Sequence, residues 1–442
     1  MSEWKQSNLL KHVNLITKGT TPTSIGRGFT EHGVKFIKVE SISEDGRFVF
    51  EKIAFIDEVT NLMLQRSQLR ENDILFSIAG VLGRIAIVPG DILPANTNQA
   101  LALIRLSENP RLLHDYLKFY LKSEFVKKQI ERISVQLAQA NFSLRDIGRL
   151  VIQFPSFLPE QRKIARILST VDVVIEKTEA AIAKYEAIKK GMMADLFTRG
   201  IDVATGKLRP RYEDAPELYK ETELGWVPKE WEVPRIGDLA VYVGSGVTPT
   251  GGSEVYKNEG ILFIRSQNVH FEGLYLNDVA FLSPATHENM QRSTVLPNDV
   301  LLNITGASIG RCCYFPAKLF EANVNQHVCI IRVEKSCESK AIYLSQVLSS
   351  YIGQVQISKL NAGGNREGLN YKQLRAFFVP WPRENKEIEQ TANMLRSINA
   401  MIEKEKVTLH KSHLIKQGLM ADLLTGRVRV QVAAEMAEVA NG

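Results

Sequence analysis

The 442-residue chain is poor in cysteine: it has four, at Cys312, Cys313, Cys329 and Cys337, all in the second half. Such a pattern cannot staple a secreted fold, and with no C-x-x-C pair it offers no zinc-ribbon spacing. No apolar run approaches the roughly 20 residues that a membrane-spanning helix needs. The opening MSEWKQSNLL lacks the basic-then-apolar pattern of a secretory signal. A reducing cytoplasm is the expected compartment. Nucleotide motifs are missing as well. The run from Gly200 to Lys207 has one residue too many for a phosphate-binding loop, and Leu208 stands where a magnesium-holding hydroxyl belongs. Gly244-Ser245-Gly246 runs into Val-Thr-Pro, which builds no dinucleotide cradle. There is no H-E-x-x-H, and no Asn-Pro-Pro-aromatic motif of the kind that holds a flipped adenine. Neither a self-contained active site nor a metal or cofactor held by this chain is expected. With 55 basic and 49 acidic side chains, the net charge of +6 permits a polyanionic partner without demanding one.

What the chain does have is a second copy of itself. At a shift of 227 residues Glu3-Trp4 meets Glu230-Trp231, and GTTPT at Gly19–Thr23 meets GVTPT at Gly246–Thr250. GVKFIK from Gly33 meets GILFIR from Gly260. Gln65-Arg66-Ser67 answers Gln291-Arg292-Ser293, Gly83-Arg84 answers Gly310-Arg311, and Asn98-Gln99 answers Asn325-Gln326. The copies end alike, GMMADLFT at Gly191–Thr198 against GLMADLLT at Gly418–Thr425. A repeat of this kind sets the architecture before any single element does.

Each copy opens with about 150 residues of short strand-like runs and turn signals, among them FIKV, DILFSIAG and LALIRL in the first copy. Helical stretches follow near Leu112–Ile133 and Ala341–Ile357. The expected class is α+β. Each copy closes with a long helix. From Pro159 to about Phe197 there is no further Pro. Ile164, Leu168, Val171, Ile175, Thr178, Ile182, Tyr185, Lys189, Met192 and Leu196 fall at alternating steps of four and three, a heptad seam. Leu395, Ile398, Ile402, Leu409, Leu419 and Leu423 repeat it, weakened in the middle by Glu405, Ser412 and Lys416. Such a helix, about 58 Å long, must bury its seam, and the cheapest partner is the matching helix of the other copy. The expected arrangement is two pseudo-symmetric globular domains (1–155 and 230–382) separated by a pair of long antiparallel coiled-coil helices (156–200 and 383–427). Residues 201–229, rich in proline and charge, read as an extended linker, and 428–442 as a frayed tail or a short helix.

The helix start LPEQRKIARILSTVD (Leu158–Asp172), the helix end KKGMMADLFTRG (Lys189–Gly200) and the bridge KETELGWVPKEW (Lys220–Trp231) carry a family likeness. With the doubled architecture, they resemble the specificity subunit of type I restriction-modification enzymes, over nearly the whole chain. That resemblance implies two target-recognition domains, each reading half of a split, asymmetric site in double-stranded DNA. It also implies two adenine methyltransferase subunits docked on the frame and two restriction subunits able to join. S-adenosylmethionine, ATP and magnesium would then sit on the partners and none on this chain. A stand-alone methyltransferase or nuclease with a divergent site, and a coiled-coil adaptor that never touches DNA, are the competing readings.

Base readout uses Arg or Lys for guanine, Asn or Gln for adenine and acidic groups for cytosine. The stretches that differ most between the copies contain such residues. In copy one the candidates are Lys35, Lys38, Glu40, Gln139, Asn141 and Arg145. In copy two they are Arg265, Gln267, Asn268, Asn365, Arg366 and Lys372. Arg84 and Arg311, like the Asn-Gln pairs, are common to both copies and suit loop bracing or phosphate contact better than base discrimination. The Gly19–Thr23 and Gly246–Thr250 loops can offer N–H groups to phosphate or serve as plain turns.

Overall fold

A computed structural model describes residues 3–108, 111–137, 142–249, 252–361 and 368–432. It separates into two compact units: residues 1–179 with 408–442, and residues 180–407. The units cut across the sequence-based boundaries, because each takes one part of each long helix.

In the first unit, strands β1 (Trp4–Asn8) and β9 (Val151–Pro155) pair at the base of the domain. A four-stranded antiparallel sheet has the order β2 (Val13–Lys18), β8 (Leu101–Leu106), β5 (Ile74–Ser77), β6 (Ile85–Ile87). A smaller sheet orders β4 (Ala54–Ile56), β3 (Val34–Ile37), β7 (Ala95–Thr97), with β3 and β7 parallel. The central strands are buried on both faces, and their side chains divide with the period of two. Ile74, Phe76, Ala102 and Ile104 enter one core with the helices His114–Leu121 and Glu124–Leu137, while Leu75, Leu101 and Leu103 face Ile37 of the small sheet.

The second unit repeats the plan. Ala240–Ser245, Val328–Val333, Val300–Asn303 and Cys312–Tyr314 form its four-stranded sheet. Its small sheet gains a fourth short strand, Thr294–Val295. The three buried cysteines follow the same alternation: Cys312 and Cys329 enter one core and Cys313 the other. Burial pushes the Cys313 and Cys329 thiols up to about 12, which keeps them protonated packing groups. Each four-stranded sheet carries the same buried ion pair, Asp73–Arg105 at 2.6 Å and Asp299–Arg332 at 2.7 Å.

The long helices are Leu158–Thr198 and Asn385–Leu423. In the first unit Ile164 and Leu168 share a core with Leu423, and Asp172 pairs with Lys416 at 2.6 Å, so the two segments run antiparallel. In the second unit Leu196 and Phe197 share a core with Ile388 and Leu395, again antiparallel. Two of the polar seam residues are satisfied locally: the Thr178 and Ser412 hydroxyls donate to Val174 O and Thr408 O.

The extended-linker reading of 201–229 is corrected. The segment forms two small hairpins, Ile201–Asp202 with Lys207–Leu208 and Tyr219–Thr222 with Gly225–Pro228. Gly206 and Gly225 take the positive φ their turns require (69° and 88°). Tyr212 stacks on Trp226 at 4.2 Å between ring centres, and Tyr219 and Val227 are buried. Pro216 opens a short helical turn, and Pro228 ends the second strand of the second hairpin. The described part of the tail is also tied down: Arg429 pairs with Glu160 at 2.8 Å.

Candidate nucleic-acid interface

In each domain the parallel strand pair of the small sheet ends at a cluster of loops built on the same plan twice. The first loop is pressed onto the strand end. Gly19 N–H donates to Asn98 O at 3.1 Å and Gly246 N–H to Asn325 O at 3.2 Å. A Cβ on Gly19 would lie 1.6 Å from Thr97 O, and one on Gly246 would lie 1.6 Å from Val324 O. Only glycine permits that approach. The shared glutamine holds the same loop from the side: Gln99 Oε1 accepts from the N–H and hydroxyl of Thr21, and Gln326 Oε1 from the hydroxyl of Thr248. The two glutamines therefore brace the loop; Thr250 lies outside the described residues.

Two more segments join this cluster. After the loops that precede them, Phe142 N–H donates to Ile78 O and Leu369 N–H to Ile304 O, placing the short helices Leu144–Arg149 and Tyr371–Arg375 beside it. Arg145 and Lys372 sit exposed on those helices. The second domain adds a polar chain that the first does not show among the described residues: Gln326 Nε2 lies 3.1 Å from His327 Nε2, and His327 Nδ1 bonds the Thr305 hydroxyl. The loop after each central strand completes the face. Thr97 Oγ1 donates to Ile37 O at 3.0 Å and Asn325 N–H to Ile264 O at 3.1 Å, so Lys38 and Arg265 leave the strand at the cluster.

The candidates divide into three groups. Some are spent on the fold. Asn268 is buried, accepts from Arg265 N–H and donates to Tyr275 O, so it is a turn brace and not a base reader. Arg84 donates to the Val39 and Ile42 carbonyls, at 3.3 and 2.8 Å, and holds the Lys38 loop. Others are tethered but reach solvent. Lys35 donates to Asp91 O, and Lys38 pairs with Glu40 at 2.9 Å over the Phe29 ring. Partial burial would raise the Glu40 carboxyl, but its bond to Lys38, with help from its own backbone and from Lys52, holds it below the usual carboxylate range. Arg265 and Gln267 converge on Asp278, at 2.8 Å to its carbonyl and 2.6 Å to its carboxylate. A third group has no hydrogen bond or ion pair from its side chain among the described residues: Arg145, Arg311 and Lys372. Gln139, Asn141, Asn365 and Arg366 lie outside the described residues.

Replacing Gly246 by Ala is expected to displace the Val247–Pro249 loop, because the new Cβ collides with backbone and lies 2.9 Å from Ser293 Cβ. Overpacking of this kind costs about 1–3 kcal/mol. A thermal melt should fall accordingly, and an unchanged melt would contradict the packing described.

A loop-built polar face, made twice on one chain and carried in each unit with antiparallel segments of the two long helices, defines a doubled recognition scaffold. The sequence model of the type I restriction modification DNA specificity domain matches residues 1–186 and 228–411, so the chain belongs to that family. The type I restriction enzyme MjaVIII specificity subunit of Methanocaldococcus jannaschii is 28% identical over 379 residues, covering 82% of this chain and 80% of that one. The same organism's chain bearing the MjaX specificity-subunit name is 27% identical over 444 residues, 97% of this chain and 94% of its own. In fold, the chain is similar to the S subunit of a type I restriction-modification system from M. genitalium, with a TM-score of 0.58, 15% identity, and coverage of 98% of this chain and 97% of that one.

Proposed function

We propose that this chain is the non-catalytic DNA-specificity subunit of a type I restriction-modification enzyme, with each domain reading one half of a split, asymmetric duplex site. The observation that carries this reading is the loop face itself. Its frame (Gly19/Gly246, Gln99/Gln326 and the strand ends) is the same in both domains, whereas the side chains mounted on it differ: Arg145 against Lys372, and Lys38 against Arg265. A common frame with different readers is what recognition of two unlike half-sites requires.

The helices suit the docking of partner subunits. In the first unit Val173, Val174, Leu414 and Ile415 stay exposed, and in the second Ile188, Met401 and Val407 do. Exposed apolar side chains on a helix pair suit a docking surface when they form a patch, and two adenine methyltransferase subunits are the proposed occupants, with two restriction subunits able to join. S-adenosylmethionine, ATP and magnesium belong to those partners in this reading, and the complex works in the cytoplasm.

The test is a filter-binding titration of random duplex DNA against salt, with and without the methyltransferase partner. Affinity should fall linearly on a log–log plot as phosphate contacts release counterions. Binding that ignores salt, or none at all, would favour an adaptor. Methyl transfer by the isolated chain would make it an enzyme.

A further inference from the structure

The residues differing between the domains address bases; the residues that repeat should address what every site has in common, the phosphate backbone. We infer that Arg66 and Arg292 are the phosphate contacts of the two domains, each acting with the backbone N–H of the adjoining glycine loop. The inference rests on the DNA-binding reading above and assigns its sequence-independent half.

Each arginine is the middle residue of a Gln-Arg-Ser turn, Gln65–Ser67 and Gln291–Ser293. The turn is fixed from beneath by a buried serine–asparagine pair. Ser67 Oγ donates to Asn96 Oδ1 at 2.6 Å, and Asn323 Nδ2 donates to Ser293 Oγ at 2.9 Å. Asn96 and Asn323 are fully buried on the strands that lead into the Asn-Gln loops, so the turn and the loop face share one rigid base. The arginines themselves are exposed. Among the described residues Arg66 makes one long side-chain bond, from Nη2 to Lys18 O at 3.4 Å, immediately before Gly19. Arg292 makes no side-chain hydrogen bond or ion pair among the described residues, and it lines a cleft of about 350 Å³ with Ser245, Gly246 and Val247.

The neighbouring backbone supplies the second donor. Gly19 and Gly246 spend their own N–H groups on Asn98 and Asn325. The next residue in each loop, Thr20 and Val247, is at the same place in the repeat. Its N–H has no hydrogen-bond partner among the described residues. A guanidinium and an uncommitted N–H on a braced loop suit a phosphate oxygen pair. A base-reading arginine would not need the same position in two domains whose other candidate readers differ.

The test uses the full chain with its methyltransferase partner and compares Arg66→Ala, Arg292→Ala and the double variant on selected and random duplexes. Each substitution should make the log affinity–log salt slope shallower by about 0.9 and weaken binding about tenfold at 0.1 M salt, equally on both duplexes. The motif selected from random DNA should be unchanged. Arg66→Lys and Arg292→Lys should keep the slope, because the charge remains; a merely structural arginine would not be rescued in this way. Loss confined to the selected duplex, a changed motif, or an unaltered slope would overturn the assignment while leaving DNA recognition intact. Failure of the unsubstituted chain to bind DNA with any salt dependence would overturn both.

Discussion

Replacing Glu387 by Ala is expected to cost the second unit about 3 kcal/mol, the lower end of what breaking a buried ion pair from one side costs. The carboxylate is 2% exposed and accepts from four donors. Arg209 reaches it with Nη1 at 2.5 Å and Nη2 at 3.0 Å, Trp231 Nε1 at 3.1 Å, and Ile201 N–H at 2.8 Å. Removing it leaves a guanidinium, an indole N–H and a backbone N–H without their acceptor in a dry site. The lower end applies because Arg209 retains Glu230 at 2.8 Å. The packing around Gly200 offers no relief: a Cβ there would lie 2.2 Å from both Glu387 and the Trp231 ring, so the turn leaving the first long helix is already full. The first unit repeats the device, with Glu160 bound bidentately by Arg429, which lies 5.5 Å over the Trp4 ring. Urea unfolding followed by tryptophan fluorescence measures the loss, and Glu387→Gln should recover part of it. A midpoint unmoved by Glu387→Ala would mean that the clamp does not hold the helix end to the domain.

The second large effect is on recognition. Lys372→Ala is expected to relax base preference in one half of the site and leave the other half untouched, as is Arg145→Ala for the opposite half. A lost specific contact is worth about 1–3 kcal/mol, or roughly 5- to 150-fold in discrimination. These two positions are preferred over Arg265 and Gln267, whose side chains must first leave Asp278 to meet a base. Competition binding with half-site variants reads the effect. Equal weakening on every sequence would reassign Lys372 or Arg145 to the phosphate backbone.

Periodicity made the long-range plan legible. The repeat register placed equivalent strands, and the heptad seam singled out Ile164, Leu168, Leu395 and Ile398, all of which are buried. Properties that depend on a partner distant in sequence were not legible. Asn268 has the side chain of an adenine reader, yet Tyr275 and the Arg265 backbone occupy it. Arg84 looks like any exposed cation until the carbonyls of Val39 and Ile42, more than forty residues earlier, close around it. The composition of 201–229, rich in proline and charge, hides a fold that depends on two glycine turns and on Arg209 reaching Glu387. Arg66 and Arg292 were in view as repeat matches; what marks them is exposure on a buried serine–asparagine base, which no local pattern reveals.

The most direct measurement is selection of bound duplexes from a fully randomised pool by the full chain with its methyltransferase partner, followed by sequencing of what is retained. Two short defined blocks, different from each other and held at one fixed spacing, are the expected result. A single contiguous motif, or a retained pool no different from the input, would contradict the assignment of one half-site to each domain.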